Sequence, residues 1–323
     1  MEQFRLFIRV VLFAGFAAVV YVLLLALVPE GLGLRVIRNL NVFTGHEGHA
    51  LTRYREASSR NSAQVLFLGS SLTYRGYDTR IFSAAGIDAF NLGSSAQTPL
   101  QSEVLLARYL DRLAPDLVVL SLDPRILNNS GVESALDILA NTPVDEYAFG
   151  MALHVNHLRT WNTLIYSFIK QSLFGPTKHI ESLRMGKNTY IPGGFVERDL
   201  EFAAPATDST TKSQEPSRIQ ELEMVDHMAK QLAAIQRMTT ALKEKRVAFV
   251  IVEPPVPSVR RASYSDHGQF EALMRSFGPY VDMHTLSGMN DRLHFYDDVH
   301  LNQHGVELFN AALIERLEHE GLP

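Results

Sequence analysis

Val65-Leu66-Phe67-Leu68-Gly69-Ser70-Ser71-Leu72 is the stretch that decides the fold. Four apolar residues run without alternation, as in a strand covered on both faces, and a glycine then permits a sharp turn. Ala89-Phe90-Asn91-Leu92, Leu117-Val118-Val119-Leu120 and Val247-Ala248-Phe249-Val250-Ile251-Val252 share this character, with a shorter candidate at Tyr280-Val281-Asp282-Met283. Helical spacing separates several of them. Val104, Leu105, Tyr109 and Leu113 recur within residues 101–113, and Leu222, Val225, Met228, Leu232, Ile235, Met238 and Leu242 within 218–245. Val306, Phe309, Leu313 and Leu317 recur within 304–319, with Asn302 a candidate cap. Strand–helix alternation predicts an α/β fold with a mostly parallel sheet between helical layers.

The serines after the first strand gain meaning from the far end of the chain, where Asp297-Asp298-Val299-His300-Leu301-Asn302 occurs. Ser71 is the candidate nucleophile, with Ser70 the competing choice and a plain helix cap the alternative for both. Its N–H near a helix start would face developing negative charge. Asp297, three residues before His300, is spaced to hydrogen-bond the ring and fix its tautomer; Asp298 is the rival. In Asn91-Leu92-Gly93-Ser94-Ser95 the N–H of Gly93 is a candidate oxyanion donor, or else part of an ordinary strand-to-helix turn. His294 and His304 are either surface residues or cleft residues.

The chain has 323 residues, enough for one elaborated domain with a sizeable core. Its net charge of −5 arises from 30 basic and 35 acidic residues with no long single-sign run, which argues against a nucleic-acid partner. Zero cysteines exclude disulfides, thiolate zinc sites and a cysteine nucleophile. No second ligand cluster accompanies the Asp/His stretch, so neither a metal nor a cofactor is expected.

Val10 to Val28 is free of charge, preceded by Arg5 and Arg9 and followed by Pro29-Glu30. As a helix these residues span about 28 Å, close to the hydrocarbon thickness of a bilayer. An uncleaved anchor is expected, a cleaved signal peptide or a buried core helix being the alternatives. Arg35 and Arg38 weaken the positive-inside bias, and the favoured orientation keeps the N-terminus inside. The expected product is a single-pass protein of the cytoplasmic membrane, its globular domain extracytoplasmic or periplasmic.

The organisation is then an anchor over 1–28, a stalk or linker over 29–63, and an α/β domain over 64–323 interrupted by an insertion at about 130–217. A polar helix around Glu47 to Ser58 is expected on the stalk's surface. Within the insertion, Met151 to Phe174 reads as one amphipathic helix carrying Trp161, and Ala203 to Ser217 reads as a mobile segment. The insertion either shapes a cleft at the strand C-termini or decorates the surface.

Phe67-Leu68-Gly69-Ser70-Ser71-Leu72, Asn91-Leu92-Gly93 and Asp297-Asp298-Val299-His300-Leu301-Asn302 together resemble the first, second and fifth blocks of the SGNH (GDSL-type) hydrolase superfamily. More narrowly, they resemble its membrane-anchored envelope branch, which includes DltD-like and polysaccharide-acetylation proteins. Gly69-Ser70-Ser71, Gly193-Gly194-Phe195 and Phe295-Tyr296-Asp297-Asp298 suit that branch, and the resemblance spans roughly residues 64 to 320. It implies a three-layer α/β/α, flavodoxin-like fold with a Ser71, His300, Asp297 triad. It also implies oxyanion donors from the N–H groups of Ser71 and Gly93 and from a third-block asparagine. That asparagine is missing: Ser121-Leu122-Asp123-Pro124-Arg125 follows the third strand, leaving Asp123, whose ionised form would repel an oxyanion, and Asn128 as a candidate donor.

The expected activity is serine-dependent ester hydrolysis or O-acyl transfer on an acylated cell-envelope glycan, related polymer or small ester, at the outer face of the membrane. The alternative is a non-catalytic SGNH-like partner of a multi-pass membrane acyltransferase.

Overall fold

The computed structural model describes residues 2–32, 36–37, 40–42, 44–45, 48–200, 218–264, 266–286 and 288–320. The Ala203–Ser217 stretch therefore lies outside the described residues.

The chain opens with α1 (Glu2–Leu32), a two-strand hairpin of β1 (Val36–Ile37) and β2 (Leu40–Asn41), and α2 (Ala50–Ser59). Then come β3 (Val65–Gly69), α3 (Ser71–Gly76), α4 (Thr79–Ala84), β4 (Ala89–Asn91), α5 (Pro99–Leu113) and β5 (Leu117–Ser121). The insertion contributes α6 (Val132–Asn141), α7 (Glu146–Val155), α8 (Leu158–Phe174) and a small antiparallel sheet of β6 (Arg184–Met185), β7 (Asn188–Ile191) and β8 (Phe195–Arg198). The main domain resumes with α9 (Arg218–Lys245), β9 (Ala248–Glu253), α10 (Ser258–Ala262), α11 (His267–Phe277), β10 (Tyr280–Asp282), α12 (Asp291–His294) and α13 (Gln303–His319).

The main sheet is parallel throughout, in the order β10-β9-β5-β3-β4. Renumbered by chain order among themselves, these strands run 2-1-3-4-5 from one edge, the flavodoxin-like pattern. Successive residues of β3 point to opposite faces, and both faces are buried. Leu66 and Leu68 join Phe90, Val118, Leu120 and Ile251 under α5 and α9. Val65 and Phe67 join Val119, Val250 and Val252 under α4 and α13. Helices on both faces explain why the strand sequences do not alternate.

Edge strand β4 is capped by the insertion. Asn91 N donates to Gly193 O at 2.7 Å, and Glu56 of α2 accepts from Gly193 N and from the Tyr190 hydroxyl. Gly194 (φ +95°) sits so close to the Asn91 carbonyl oxygen that a Cβ there would collide with it. An edge that would otherwise offer unpaired backbone groups is thereby closed.

Two expectations need correction. The helix placed on a polar stalk surface, α2, buries Ala50, Leu51, Arg53, Tyr54 and Ala57, so it belongs to the packed unit. Its polar residues are used inward: Arg53 Nε donates to Gly194 O. The single helix expected over 151–174 is two helices. Asn156 adopts a left-handed conformation (φ 43°) that ends α7, and His157 caps α8 by accepting from Arg159 N.

From Glu2 to Leu27, α1 is long and apolar enough to cross a membrane, and its side chains are almost all exposed. Its later turns meet the domain: Tyr21 donates to Asn162 of α8 at 2.8 Å, and Leu25 is buried with Leu40, Val42, Ala140 and Tyr166.

Phe67 is fully buried between the rings of Tyr77 and Phe82, at centroid distances of 4.7 and 4.9 Å. Phe67→Ala should cost about 3–5 kcal/mol, read as a lower denaturation midpoint in urea. A loss within about 1 kcal/mol would mean that this face of the sheet is not close-packed.

Candidate active site

All five main strands end at one edge, and the order reverses between β3 and β5, which opens a crevice there. Gly69 closes β3 where a Cβ would collide with the Ser121 carbonyl oxygen and the Thr73 hydroxyl, so the strands converge at that point. The two serines that follow divide the roles. Ser70 caps α3, its Oγ accepting from Leu72 N. Ser71 is the first helical residue, so its N–H has no carbonyl within its own helix and its side chain faces the crevice.

The C-terminal loop delivers the partners. Phe295 and Leu301 are buried in the core and pair across an antiparallel bridge, while Tyr296 N donates to His300 O at 3.0 Å. Asn302 then caps α13 through Gly305 N and donates to Leu293 O. With both ends pinned, Asp297 accepts from the backbone N–H groups of Val299 and His300 at 2.8 and 2.6 Å. Its carboxylate meets His300 Nδ1 at 2.9 Å, and His300 Nε2 lies 2.8 Å from Ser71 Oγ. Burial alone pushes the Asp297 carboxyl up; the hydrogen bonds from the His300 ring and the two backbone N–H groups outweigh it and hold the group below the usual carboxylate range. An ionised Asp297 selects the tautomer with the proton on Nδ1, leaving Nε2 as the acceptor for the serine. The Tyr296 ring stacks on the imidazole at 5.5 Å and 9°, and the Arg198 guanidinium lies over the Tyr296 ring, 5.1 Å from its centroid.

The remaining candidates divide. Gly93 N donates to Asn91 Oδ1 at 3.0 Å, and the glycine is buried beneath α3 rather than lining the crevice; Ser95 and Ala96 line it instead. Asn128 also falls away from the crevice. Asp123 caps a 3₁₀ turn over Pro124–Asn128, and three residues per turn align Asp123, Ile126 and Asn129, all of which line the cleft. The carboxamide oxygen of Asn129 accepts from Gly131 N. Asp123 is buried at the base of its turn; burial pushes its carboxyl up, against the pull of Arg260 and of its bond from Arg125 N. His294 accepts from Asn290 N, and His304 is exposed on α13. The cleft encloses about 400 Å³, with Arg75, Arg125, Arg198, Arg260 and Glu133 among its walls. Glu133 and Arg198 come from the insertion.

Glu253, at the end of β9, gathers a second polar cluster. It accepts from Arg261 Nη1 (2.7 Å), His267 Nε2 (2.8 Å) and the Tyr280 hydroxyl, and Arg261 Nη2 continues to Asp282. Glu253, His267 and Asp282 have the donor set of a cation site, but Arg261 already bridges both carboxylates. The cluster anchors α10 and so fixes Arg260, the neighbouring residue in the cleft wall.

No family model and no curated protein matches the chain. Solved structures with a related outline include a GDSL-like lipase from Bacteroides thetaiotaomicron VPI-5482, at 12% identity and a TM-score of 0.40, covering 85% of this chain and all of that one. A proposed acylhydrolase from Bacteroides fragilis NCTC 9343 is similar at 11% identity and a TM-score of 0.41, covering 84% of this chain and 96% of the other. Likenesses this distant carry no weight for activity.

Two outcomes follow from the electrostatics. Isotope-edited NMR of the histidine rings should find the neutral form of His300 carrying its proton on Nδ1, and Asp297→Asn should abolish that preference; a neutral wild-type ring with its proton on Nε2 would contradict the site. Burial alone pushes the Glu253 carboxyl up; the His284 ring 3.3 Å away and the hydrogen bonds from Tyr280 and His267 together outweigh it and hold the group below its ordinary value of 4.5. A folded value below the unfolded one contributes stability above pH 4.5 that is lost as pH falls through the folded value. Chemical denaturation across that window should show a shallower pH slope in Glu253→Gln than in wild type.

Proposed function

We propose that the protein is an SGNH-type serine ester hydrolase or O-acyltransferase. The observation that carries this reading is the 2.8 Å contact between Ser71 Oγ and His300 Nε2, with Asp297 behind the ring. Ser71 Oγ attacks the acyl carbonyl while His300 takes its proton. As the tetrahedral intermediate collapses, the C–O bond to the alcohol breaks and His300 returns the proton to the leaving oxygen. The acyl group remains on Ser71 until water, for hydrolysis, or a sugar hydroxyl, for transfer, attacks it with the same histidine as base. The Ser71 N–H is one oxyanion donor, and the carboxamide of Asn129 and the backbone around Ser95 and Ala96 are candidates for the others.

The setting we infer is an envelope glycan or related polymer at the outer face of the cytoplasmic membrane, with the N-terminal helix as an uncleaved anchor. The Tyr21–Asn162 hydrogen bond and buried Leu25 support retention of that helix, since cleavage would strip packing from α8. Arg5 and Arg9 before the apolar run support an inside N-terminus.

A second reading, a non-catalytic partner of a multi-pass acyltransferase, is favoured by one observation: the Gly93 N–H is already taken by Asn91. The two separate experimentally. Wild type should label with a fluorophosphonate probe and turn over p-nitrophenyl acetate, and Ser71→Ala should lower turnover by about 10⁴-fold or more. His300→Ala should abolish labelling. Folded wild-type protein that neither labels nor turns over the ester would leave the partner reading standing.

A further inference from the structure

We propose that the cleft beside Ser71 binds an oxyanion, a carboxylate or a phosphate, carried by the same molecule as the reacting ester. This rests on the serine-ester reading above. Four arginines from four different elements converge on the cleft: Arg75 of α3, Arg125 of the 3₁₀ turn, Arg198 of β8 and Arg260 of α10. Elsewhere in the chain arginines pair with carboxylates, as Arg80, Arg237, Arg261 and Arg275 do. Among the described residues, none of the four cleft arginines makes such an ion pair.

Neutral groups hold them instead. Arg75 Nη1 donates to Asn188 Oδ1 at 3.0 Å and its guanidinium lies over the Tyr74 ring. Arg125 Nη2 donates to the Ser263 hydroxyl at 2.8 Å, and Arg260 Nε reaches the Tyr264 hydroxyl at 3.3 Å. Arg198 lies over Tyr296, and its Nε is buried without a partner. A guanidinium carries five N–H donors, so neutral contacts that use one or none leave a charged, oriented fork open to a ligand. Asp123 and Glu133 are the acidic groups in the wall, two against four, and Asp123 spends one oxygen on its turn. This imbalance stands out in a chain whose net charge is −5. Fields in a concave, partly desolvated site are screened less than on an open surface, so the excess acts on whatever enters.

The test uses the full chain in a non-ionic detergent. Acetate release would be compared for acetylated methyl glucuronide, acetylated glycerol 3-phosphate and the neutral acetylated methyl glucoside. At least one anionic ester should exceed the neutral one in kcat/KM by about tenfold or more. That preference should shrink in Arg260→Gln and in Arg125→Gln, whose side chain is exposed, and should fall with added salt. Which anion is preferred separates the carboxylate from the phosphate. Equal turnover of all three overturns the anion site and leaves the serine chemistry intact. Direct titration of Ser71→Ala with methyl glucuronide and glycerol 3-phosphate provides a readout free of catalysis. Arginine-dependent binding with no ester turnover in wild type would keep the anion site and end the serine reading; no binding of either compound would overturn the anion site.

Discussion

A hydrogen bond between Ser71 and His300 spans 229 positions of chain, and its existence depends on a parallel sheet. Strands that all run one way must end at one edge, and each crossover returns the chain to the opposite edge. Loops that follow strands therefore gather in one layer however far apart they lie in sequence. The reversal of strand order between β3 and β5 then sends successive crossovers to different sides and leaves a gap between the loops. Ser71 leaves β3 on one flank of that gap, and Asp123 leaves β5 on the other. The 295–301 loop reaches the same place because Phe295 and Leu301 are fixed in the core beneath it.

For the proposed chemistry position alone is not enough; the ring must also be oriented. Asp297 is bonded by two backbone N–H groups before it meets the imidazole, so its geometry is set by the loop and not by the histidine. Tyr296 stacks on the imidazole, and the Arg198 guanidinium lies over the tyrosine ring. The insertion thus reaches His300 through Arg198 and Tyr296. Its small sheet is itself held by Glu56 and by the Gly193 contact with β4. Side chains from α2, the insertion and the last loop are in this way one mechanical unit.

Much of this was legible in the linear chain. Uninterrupted apolar runs at 65–68, 117–120 and 248–252 can be satisfied only by burial on both faces, and the strand ends follow from Gly69 and Gly93. Asp297 and His300 are local to each other, so three-residue spacing was enough. What depends on long-range packing was not legible. Ala50, Leu51, Tyr54 and Ala57 lie among enough polar residues to resemble a surface helix, and only the sheet above them makes them core. A left-handed Asn156 carries no strong mark in sequence, so α7 and α8 read as one. Asn129 was within reach: Asp123-Pro124 is a cap followed by a proline at the first turn, and a three-residue period from Asp123 selects position 129 over 128. Arg198 and Arg260 lie in segments with no motif, and nothing local marks them as neighbours.

The asparagine that the SGNH resemblance implies after the third strand is missing here, and the charge around Asp123 bears on its cost. A carboxylate in that position would oppose negative charge growing on an acyl oxygen. Burial disfavours its ionised form, while Arg260 and Arg125 favour it. Either outcome leaves the cleft positive. If the carboxyl is neutral, four guanidinium groups face Glu133 alone; if ionised, they still outnumber the acids by two. Oxyanion stabilisation depends on the summed potential of fixed charges and dipoles at the reacting oxygen, not on one residue type. A cleft with a net cationic wall and few aligned amide donors favours substrates that bring their own negative charge, because binding then recruits guanidinium N–H groups toward the reacting centre. The loss of one neutral donor and the surplus of arginine are, on this argument, two sides of one electrostatic arrangement.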